Sequence, residues 1–282
     1  DFPEVTCYGE ALADCFPEQS IIGGAPLNVA RHLAQLGCKA HIMTALADDA
    51  LGHQISEACQ SAGVFTDLIF TTPKAPTGQV RIETGIDASH IFHIDRNSAW
   101  DYIEPTPAAA AVLNRSSCLV YGTLAMRSAV SRHTFLELID KFSGLVICDF
   151  NWREGHLPLA EAIGVAQKAQ WLKINEIELR LLLTHFGLDQ ITPLLQVMGI
   201  ELCLITKGEQ GYDVYGPEGL LLHGQAHAIG TITDTVGAGD SFLACTLAAH
   251  LQGAPLSGAL DLAAQFAAAI CGVRGAVPGD LS

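Results

Sequence analysis

The sequence predicts an α/β protein, a three-layer α/β/α sandwich around a mainly parallel central sheet with a small β-sheet beside it. Two observations lead to this prediction. Short apolar runs that suit buried strands alternate with segments of helical periodicity, a rhythm typical of parallel sheets covered by helices on both faces. The rhythm breaks once, where two strand-like runs flank Gly85-Ile86-Asp87 and predict an antiparallel hairpin.

The expected elements follow from these periodicities. Strands are predicted at residues 5–13, 41–46, 77–84, 89–94, 118–121, 145–150, 171–174, 202–205, 211–215 and 220–223. Helices are predicted at residues 27–36, 52–62, 131–141, 159–170 and 176–186, with two more from Asp240 and over 256–273. We expect one domain, residues 1–282, with a lid formed by residues 14–23 and 77–96 inserted in it.

Composition narrows the function classes. The chain has 282 residues, 49% of them hydrophobic and 16% charged, which describes a globular protein. Its formal net charge of −15 argues against nucleic acid or an anionic membrane as a partner. Nine cysteines without a Cys-x-x-Cys pair, and no N-terminal signal pattern, predict a reduced, cytoplasmic setting. The uncharged stretch 241–260 could span a bilayer by its length, but Gly253 and Pro255 interrupt it, so we expect two packed helices.

A glycine-rich turn opens the first of these closing helices. The residues are Asp234-Thr235-Val236-Gly237-Ala238-Gly239-Asp240-Ser241-Phe242. Small residues let a ligand approach the backbone, and the N–H groups of 237–239 join the positive end of the helix dipole, so phosphate is the expected ligand. A bound phosphate repels Asp240 unless this carboxylate serves as the base for an attacking hydroxyl. Spacing alone favours a plainer alternative, a helix-capping aspartate after an ordinary turn.

This stretch resembles the C-terminal signature of the ribokinase-like sugar kinases, the PfkB family. The resemblance implies that Asp240 is the catalytic base and that the amides of Gly237, Ala238 and Gly239 form the anion hole. The stretch Gly23-Gly24-Ala25-Pro26-Leu27-Asn28 resembles the N-terminal signature of the same family. Finding both signatures in the family's order outweighs the plainer reading of either one.

The same resemblance implies a sugar site near the N-terminus. Gly23, Gly24 and Asn28 would hold the sugar, and Asp14 would bind its hydroxyls. Carboxylate and amide groups suit that task because each sugar hydroxyl both donates and accepts hydrogen bonds. The segment between Asp14 and Gly23 is shorter than the family's lid usually runs. Either this lid is truncated, or the sequence as given lacks some of its residues.

Two further stretches resemble family elements. Asn151 and Arg153 follow a predicted strand, and the resemblance places them against the substrate or the transferring phosphoryl group. Asn175 and Glu178 match an Asn-x-x-Glu element that faces a metal–water shell, with Glu178 reaching Mg²⁺ through water. Without the family, Glu178 would simply be a dipole partner at a helix start.

The nucleotide site is also implied by the resemblance. The residues expected to bind ATP are Asn175, Lys207, Gly208, Gly211, Gly237 and Gly239. Lys207 would reach phosphate, and Gly275-Ala276 fits the adenine region more weakly. The expected cofactors are ATP and Mg²⁺, and a monovalent cation, K⁺, near Asp234 would be in keeping with many relatives.

We therefore expect an enzyme that transfers the γ-phosphoryl group of ATP to a sugar primary hydroxyl, with sugar and ATP as small-molecule partners. Residues 9–14 and 122–127 look most like the bacterial fructokinases of the family, which favours the 6-hydroxyl of D-fructose. Kinases of 2-keto-3-deoxygluconate and ribokinase-type kinases are alternatives, since Arg96 could bind either a sugar hydroxyl or a keto-acid carboxylate. A non-catalytic sugar-binding regulator is the alternative from another class, and the intact Asp240 opposes it. The oligomeric state is left open, with a homodimer as one alternative.

Overall fold

The computed structural model describes residues 2–84, 90–227, 237–272 and 276–277. Within these ranges the strands are β1 (Glu4–Tyr8), β2 (Leu12–Cys15), β3 (Ser20–Gly23), β4 (Lys39–Leu46), β5 (Ile69–Thr71), β6 (Gly78–Thr84), β7 (His90–Ile94), β8 (Cys118–Gly122), β9 (Leu145–Asp149), β10 (Trp171–Asn175), β11 (Leu202–Thr206), β12 (Tyr212–Gly216) and β13 (Gly219–Gly224). The helices are α1 (Ala25–Gln35), α2 (Ala50–Ser61), α3 (Ala109–Arg115), α4 (Ala129–Ile139), α5 (Leu159–Ala166), α6 (Glu176–Phe186), α7 (Ile191–Met198), α8 (Ala238–Leu251) and α9 (Leu256–Cys271).

The central sheet has nine strands in the order β13-β12-β11-β10-β9-β8-β1-β4-β5. Neighbouring strands from β11 through β5 run parallel, and β12 and β13 add an antiparallel edge. Successive residues face opposite sides, so Cys7 of β1 packs into one core and Tyr8 into the other. The Tyr8 core contains side chains of α3 to α7, whereas the Cys7 core contains side chains of α1, α2, α8 and α9. The predicted α/β/α sandwich around a mainly parallel sheet is confirmed.

The smaller sheet has four strands in the order β3-β2-β6-β7. Strands β6 and β7 pair antiparallel with Val80 opposite Ile94, which confirms the predicted hairpin, although its turn lies outside the described residues. Strands β2 and β3 also pair antiparallel, and their short connection is closed by a 2.8 Å hydrogen bond from the Phe16 N–H to the Gln19 carbonyl. The segment after Asp14 and the predicted hairpin therefore belong to one sheet.

The first predicted strand, residues 5–13, is wrong as a single element. Strand β1 ends at Tyr8 in the central sheet, and the chain re-enters regular structure as β2 in the smaller sheet. Gly9 lies between them with φ of 147°, and a Cβ atom there would stand 2.6 Å from Cγ of Pro26. Glycine is needed for this conformation and this close approach. The run is apolar on both sides of Gly9 because both of its halves are buried, so its hydrophobicity does not reveal the change of sheet.

Four short elements are not predicted by the sequence patterns, namely β3, β5, α3 and α7. Each has eight residues or fewer, which is too short to establish a period. Helix α5 also ends at Ala166, before the predicted end at 170, because Gln170 already donates its N–H to the Val146 carbonyl of β9 at 3.0 Å. These differences leave the layer order unchanged.

The uncharged stretch 241–260 forms most of α8 and the beginning of α9, as predicted. Gly253 lies between the two helices with φ of 93°, and Pro255 caps the start of α9. Within the described residues, no helix combines the length and the apolar character that crossing a membrane requires. None of the nine cysteines, all of which lie in the described ranges, forms a disulfide, and only Cys15 and Cys271 are half-buried rather than buried.

Candidate active site

The carboxyl ends of the parallel strands and the beginning of α8 meet at one edge of the central sheet. Asp149 ends β9, Asn175 ends β10 and Thr206 ends β11, and these three strands lie side by side. Gly237 precedes α8 in a left-handed conformation, with φ of 78°. Ligands of open α/β sheets collect at such an edge, where strand ends and helix N-termini present polar groups.

Asp240 lies in the first turn of α8 and is half-buried. The Nδ2 atom of Asn28 donates a hydrogen bond to its Oδ2 atom at 2.8 Å. Asn28 lies in α1, directly after the turn that carries Gly23 and Gly24. The two sequence signatures, at opposite ends of the chain, therefore meet in one site.

The pKa of Asp240 is raised to about 6. Loss of hydration is the main cause, and the negative charge of Asp149 adds to it. The ammonium of Lys173, the hydrogen bond from Asn28 and the charge of Arg153 act in the opposite direction. At neutral pH the group is a carboxylate, yet it is more basic than an exposed aspartate, which suits a base that accepts a hydroxyl proton.

A buried ion pair lies beside Asp240. The Nζ atom of Lys173 is 3.0 Å from both carboxylate oxygens of Asp149. A Cβ atom on Gly239 would lie only 2.7 Å from this Nζ atom, so the absence of a side chain there lets the ammonium approach the turn. Sequence reasoning missed Lys173 as a site residue. The available signal was a lysine in the middle of a buried apolar strand, which requires a charged partner.

Glu10 is a second site residue that sequence reasoning missed. It is 3% exposed, and its Oε2 atom has no hydrogen-bond partner within the described residues. Burial raises the pKa of this carboxyl to about 7, and Arg153 partly offsets the rise, whereas Asp240 and Asp149 increase it. A second carboxyl that holds its proton near neutral pH thus lies within electrostatic reach of Asp240.

Four of the predicted sugar-binding residues, Asp14, Gly23, Gly24 and Asn28, lie on segments that pack together. A Cβ atom on Gly23 would stand 2.5 Å from Oδ2 of Asp14, and one on Gly24 would stand 2.5 Å from the carbonyl oxygen of Glu10. Gly24 also has φ of 106°, which side chains rarely allow. The two glycines therefore bring the start of α1, with Asn28, against β2 and its aspartate.

A cavity of about 600 Å³ adjoins the glycine-rich turn. Its lining includes Thr206, Gly208, Gly211, Ala238, Gly239 and Phe242, together with Ala264, Ala267 and Cys271 of α9. Three of the residues predicted to bind ATP, Gly208, Gly211 and Gly239, are thus brought together. The small apolar side chains of α9 leave a wall suited to a flat aromatic base.

Lys207 forms an ion pair outside the lining of this cavity. Its Nζ atom donates to Oδ2 of Asp213 at 2.8 Å, and His223 contacts the other oxygen of the same carboxylate at 2.7 Å. Lys207 is not among the residues that line the cavity. The contact that the sequence predicts between this lysine and phosphate would require the ion pair with Asp213 to open.

Asn175 and Glu178 form a capping box at the start of α6. Oδ1 of Asn175 accepts hydrogen bonds from the Ile177 and Glu178 N–H groups, both at 2.9 Å. Oε2 of Glu178 accepts from the Asn175 N–H at 2.9 Å, and Oε1 accepts from the Trp152 N–H at 3.0 Å. Each carboxylate oxygen keeps acceptor capacity, so the residue fits contact with a metal-bound water. No cluster of three potential metal ligands occurs in the described part of the chain.

The loop after β9 carries the next two predicted residues. Asn151 has φ of 35°, and it is the one non-glycine residue with positive φ in the described ranges. Asparagine tolerates this conformation better than most residues. Arg153 is exposed, and its guanidinium carbon lies 5.8 Å from the ring centre of Phe92 on β7. Its charge lowers the pKa of both Glu10 and Asp240, so the guanidinium lies within electrostatic reach of the site.

Arg96 lines a different cavity, of about 370 Å³. The residues around it come from 96–102, 127–128 and 156, and Asp14 and Asn28 are not among them. Arg127 lies over the Trp100 ring at 3.9 Å and forms two 2.8 Å hydrogen bonds with the Asp101 carboxylate. Of the remaining predicted residues, Asp234 and Gly275 lie outside the described residues.

These features define a class of protein. A glycine-rich turn at a helix N-terminus, a carboxylate directly after it and a neighbouring cavity of nucleotide size are the parts of an α/β/α phosphotransferase. The chain belongs to the pfkB family of carbohydrate kinases, since the family's sequence model matches residues 4–281. It is accordingly an ATP-dependent sugar kinase.

Individual relatives agree with this assignment. A fructokinase of Solanum tuberosum is 28% identical over 261 residues, covering 86% of this chain and 79% of that protein. A sugar kinase of Pyrococcus horikoshii, solved in complex with ATP, superposes with a TM-score of 0.83 at 25% identity, covering 96% of this chain and 93% of that one. A fructokinase of Vibrio cholerae superposes with a TM-score of 0.80 at 22% identity, covering 99% of this chain and 96% of that one, which shows a shared fold.

Proposed function

We propose that this enzyme phosphorylates D-fructose at its 6-hydroxyl, with ATP as the phosphoryl donor. The observation that carries the proposal is the hydrogen bond between Asn28 and Asp240, because it joins the predicted sugar site to the carboxylate beside the anion-binding turn. The names of the relatives support the choice of sugar. The protein of Solanum tuberosum is a fructokinase, and a relative from Arabidopsis thaliana, 26% identical over 266 residues, is a probable fructokinase.

The proposed chemistry is one in-line transfer. Asp240 accepts the proton of the sugar hydroxyl, the hydroxyl oxygen bonds to the γ-phosphorus, and the bond from that phosphorus to the β–γ bridging oxygen breaks to release ADP. The amides of residues 237–239 and the guanidinium of Arg153 stabilise the charge on the transferring group. Orientation of the hydroxyl contributes more than the basicity of Asp240, because the proton leaves late in a loose transition state.

The remaining predicted residues take supporting roles in this proposal. The residues that would hold the sugar are Asp14, Gly23, Gly24, Asn28 and Asn151, and Arg96 would join them if its side chain turns out of the cavity that it lines. The nucleotide would be held by Asn175, Gly208, Gly211 and the residue 237–239 turn, and by Lys207 once its ion pair with Asp213 opens. Mg²⁺ would neutralise phosphate charge when bound, with Glu178 contacting it through water. The proposal also includes a K⁺ ion bound near Asp234.

A second candidate substrate is 2-keto-3-deoxygluconate, and the cavity lined by Arg96 favours it. Arg127 is neutralised there by Asp101, so Arg96 is the cation that could meet a carboxylate. Arg96→Gln should weaken fructose binding only modestly if this side chain orients hydroxyls. The same change should abolish turnover of the keto-acid if the guanidinium holds a carboxylate.

The deciding experiment measures kcat/KM with ATP and Mg²⁺ for fructose, 2-keto-3-deoxygluconate and ribose. We expect fructose to give the highest value. A clear preference for the keto-acid would overturn the choice of fructose. Tight sugar binding without turnover of ATP for any substrate would favour a sugar-binding regulator instead.

The organisation of the enzyme is also proposed. We infer one kinase domain over residues 1–282, with the smaller sheet acting as a lid over the sugar. Nine cysteines without a disulfide among them fit the cytoplasm. Sugar and ATP are the proposed partners, without nucleic acid, and a homodimer is the assembly we would test first by light scattering.

A further inference from the structure

The ion pair between Lys173 and Asp149 is held from several sides. Lys173 extends from the middle of β10, and Asp149 ends the neighbouring strand β9. Both residues are buried, at 8% and 3% exposed, and both oxygens of the carboxylate lie 3.0 Å from the ammonium. The backbone of Gly239 lies against the same ammonium. The charge of Lys173 is therefore fixed in position at the start of α8.

Burial alone would lower the pKa of Lys173, but Asp149 and then Asp240 and Glu178 raise it above its ordinary value. The lysine is thus a permanent cation at any pH at which the enzyme would work. Desolvated charges interact far more strongly than exposed ones, so an ammonium at this place acts on its neighbours with little screening.

Asp240 is the neighbouring carboxyl whose ionisation this ammonium favours. The charged groups that act on it come from four elements, and they are Lys173 on β10, Asp149 on β9, Arg153 in the loop after β9 and Glu10 after β1. Asn28 on α1 adds a neutral hydrogen bond. Lys173 and Arg153 favour the carboxylate, whereas Asp149 and Glu10 oppose it.

We propose that Lys173 and Asp149 are positioning residues for Asp240: the ammonium, held by Asp149 against Gly239, keeps Asp240 ionised and the glycine-rich turn in place. The proposal rests on the proposed function, in which Asp240 is the base. Asp149 fixes the position of the ammonium and also limits its effect, since its own negative charge opposes the ionisation of Asp240. The pair together sets how basic Asp240 is.

Two single variants with opposite expected effects, and the double variant that combines them, test this proposal. Lys173→Met removes the cation, so the acid limb of the kcat/KM profile should move up by about 1 pH unit. The loss at pH 6 should then be about fivefold, with a much smaller loss on the plateau. Asp149→Asn removes the opposing charge and should move the limb to lower pH. In the Lys173→Met/Asp149→Asn double variant the two shifts should largely cancel.

The double variant also removes the danger that a stranded buried charge unfolds the protein, because neither partner is left alone. Lys173→Arg is a rescue variant and should keep the limb near its original pH. The titration of Asp240 itself can be followed without substrate by ¹³C NMR of labelled aspartate carboxyls, with Asp240→Asn identifying the signal. That measurement tests the charge coupling even if fructose is not the substrate.

Gly239→Ala provides an independent check. The new methyl would lie 2.7 Å from Nζ and 3.3 Å from Cε of Lys173, so it should push the ammonium away and raise the pKa of Asp240. Gly164→Ala on α5 is the matched control, since a Cβ there meets nothing within 4 Å. This control should leave both the profile and the titration unchanged.

Two results would overturn the proposal. A fall in kcat for Lys173→Met that is equal at every pH, with the carboxyl titration unmoved, would mean that Lys173 acts on the phosphoryl group directly. A carboxyl titration that does not move in Asp149→Asn, or moves upward, would mean that the pair has only a structural role. If Lys173→Met does not fold, the Asp149→Asn and double variants decide alone.

Discussion

Asn28 and Asp240 are 212 positions apart in the chain and share a 2.8 Å hydrogen bond. The bond uses one N–H of the Asn28 amide, and the buried Oδ1 atom of the same amide has no partner within the described residues. One side chain can therefore orient the carboxylate with its donor and receive a substrate hydroxyl with its acceptor. The position of the sugar and the position of the base are set by the same residue.

Asp240→Asn should remove most of kcat, by about 10²-fold or more, because the amide cannot accept the hydroxyl proton. The substitution keeps the shape of the side chain, so nucleotide binding by calorimetry should persist. Asp189→Asn, at an exposed position, is the matched control and should behave as the unmodified enzyme. Near-normal turnover by Asp240→Asn would remove Asp240 from the role of base.

Glu10→Gln should stabilise the protein more at high pH than at low pH. The folded-state pKa of Glu10 is about 7 and its ordinary value is 4.5, so between these values the folded chain holds a proton that the unfolded chain has lost. Stability therefore falls as pH rises through this window, by up to about 3 kcal/mol, and the full cost is present above pH 7. Glutamine removes this cost because it never ionises.

The measurement is urea unfolding of both proteins at pH 4.5 and pH 8. Asp240 has the same sign of effect, and because Glu10 opposes its ionisation, its own pH-dependent cost should fall in Glu10→Gln and add to the difference. We expect the advantage of Glu10→Gln to grow between the two pH values by about 1–3 kcal/mol. An advantage of equal size at both pH values would show that Glu10 is ionised in the folded chain.

Gly237→Ala should destabilise the protein more than Gly253→Ala. Both glycines have positive φ, 78° and 93°, so an alanine costs about 1–2 kcal/mol at either position. A Cβ at 253 meets nothing within 4 Å, whereas one at 237 would stand 2.5 Å from Cβ of Ala276. The clash should add about 1–3 kcal/mol, measured by denaturant unfolding. Equal destabilisation by both would contradict this contact.

Sugar should slow hydrogen exchange in β6 and β7 if the smaller sheet closes over the substrate. Its own core is small, built on Leu12, Val80 and Ile82, so its amides should exchange readily without ligand. Strand β12 in the central sheet is the internal control and should be unaffected. Unchanged protection in β6 and β7 with saturating sugar would argue against a moving lid.

The sequence predicts the layers well because apolar periodicity reports burial. It fails at Gly9, where burial continues while the chain changes sheets. The sequence also does not show which of two lysines, Lys173 or Lys207, lies beside Asp240. Lys207 follows a strand in a family-like turn, and its ion pair with Asp213 becomes visible only when β11 and β12 are paired. Lys173 belongs to an apolar run, and its carboxylate partner lies on another strand.

The sequence does predict the glycines and the base of the candidate site, because these residues occur in contiguous motifs. The sequence does not predict Glu10 or Asp149, the partner of Lys173, because their effect on Asp240 comes from packing between distant segments. Charge coupling of this kind depends on distance and on exclusion of water. Neither quantity can be read from spacing along the chain.

The thiols offer a way to observe the enzyme at work. Burial raises the pKa of Cys7 and Cys148 well above the ordinary value, so their thiolates are scarce and reagents react with them slowly. Cys15 and Cys271 are only half-buried, and they lie in β2 of the smaller sheet and in the wall of the nucleotide cavity. A nucleotide in the cavity should therefore slow the alkylation of Cys271 and leave that of Cys15 unchanged, so these two native thiols report ligand binding without any introduced cysteine.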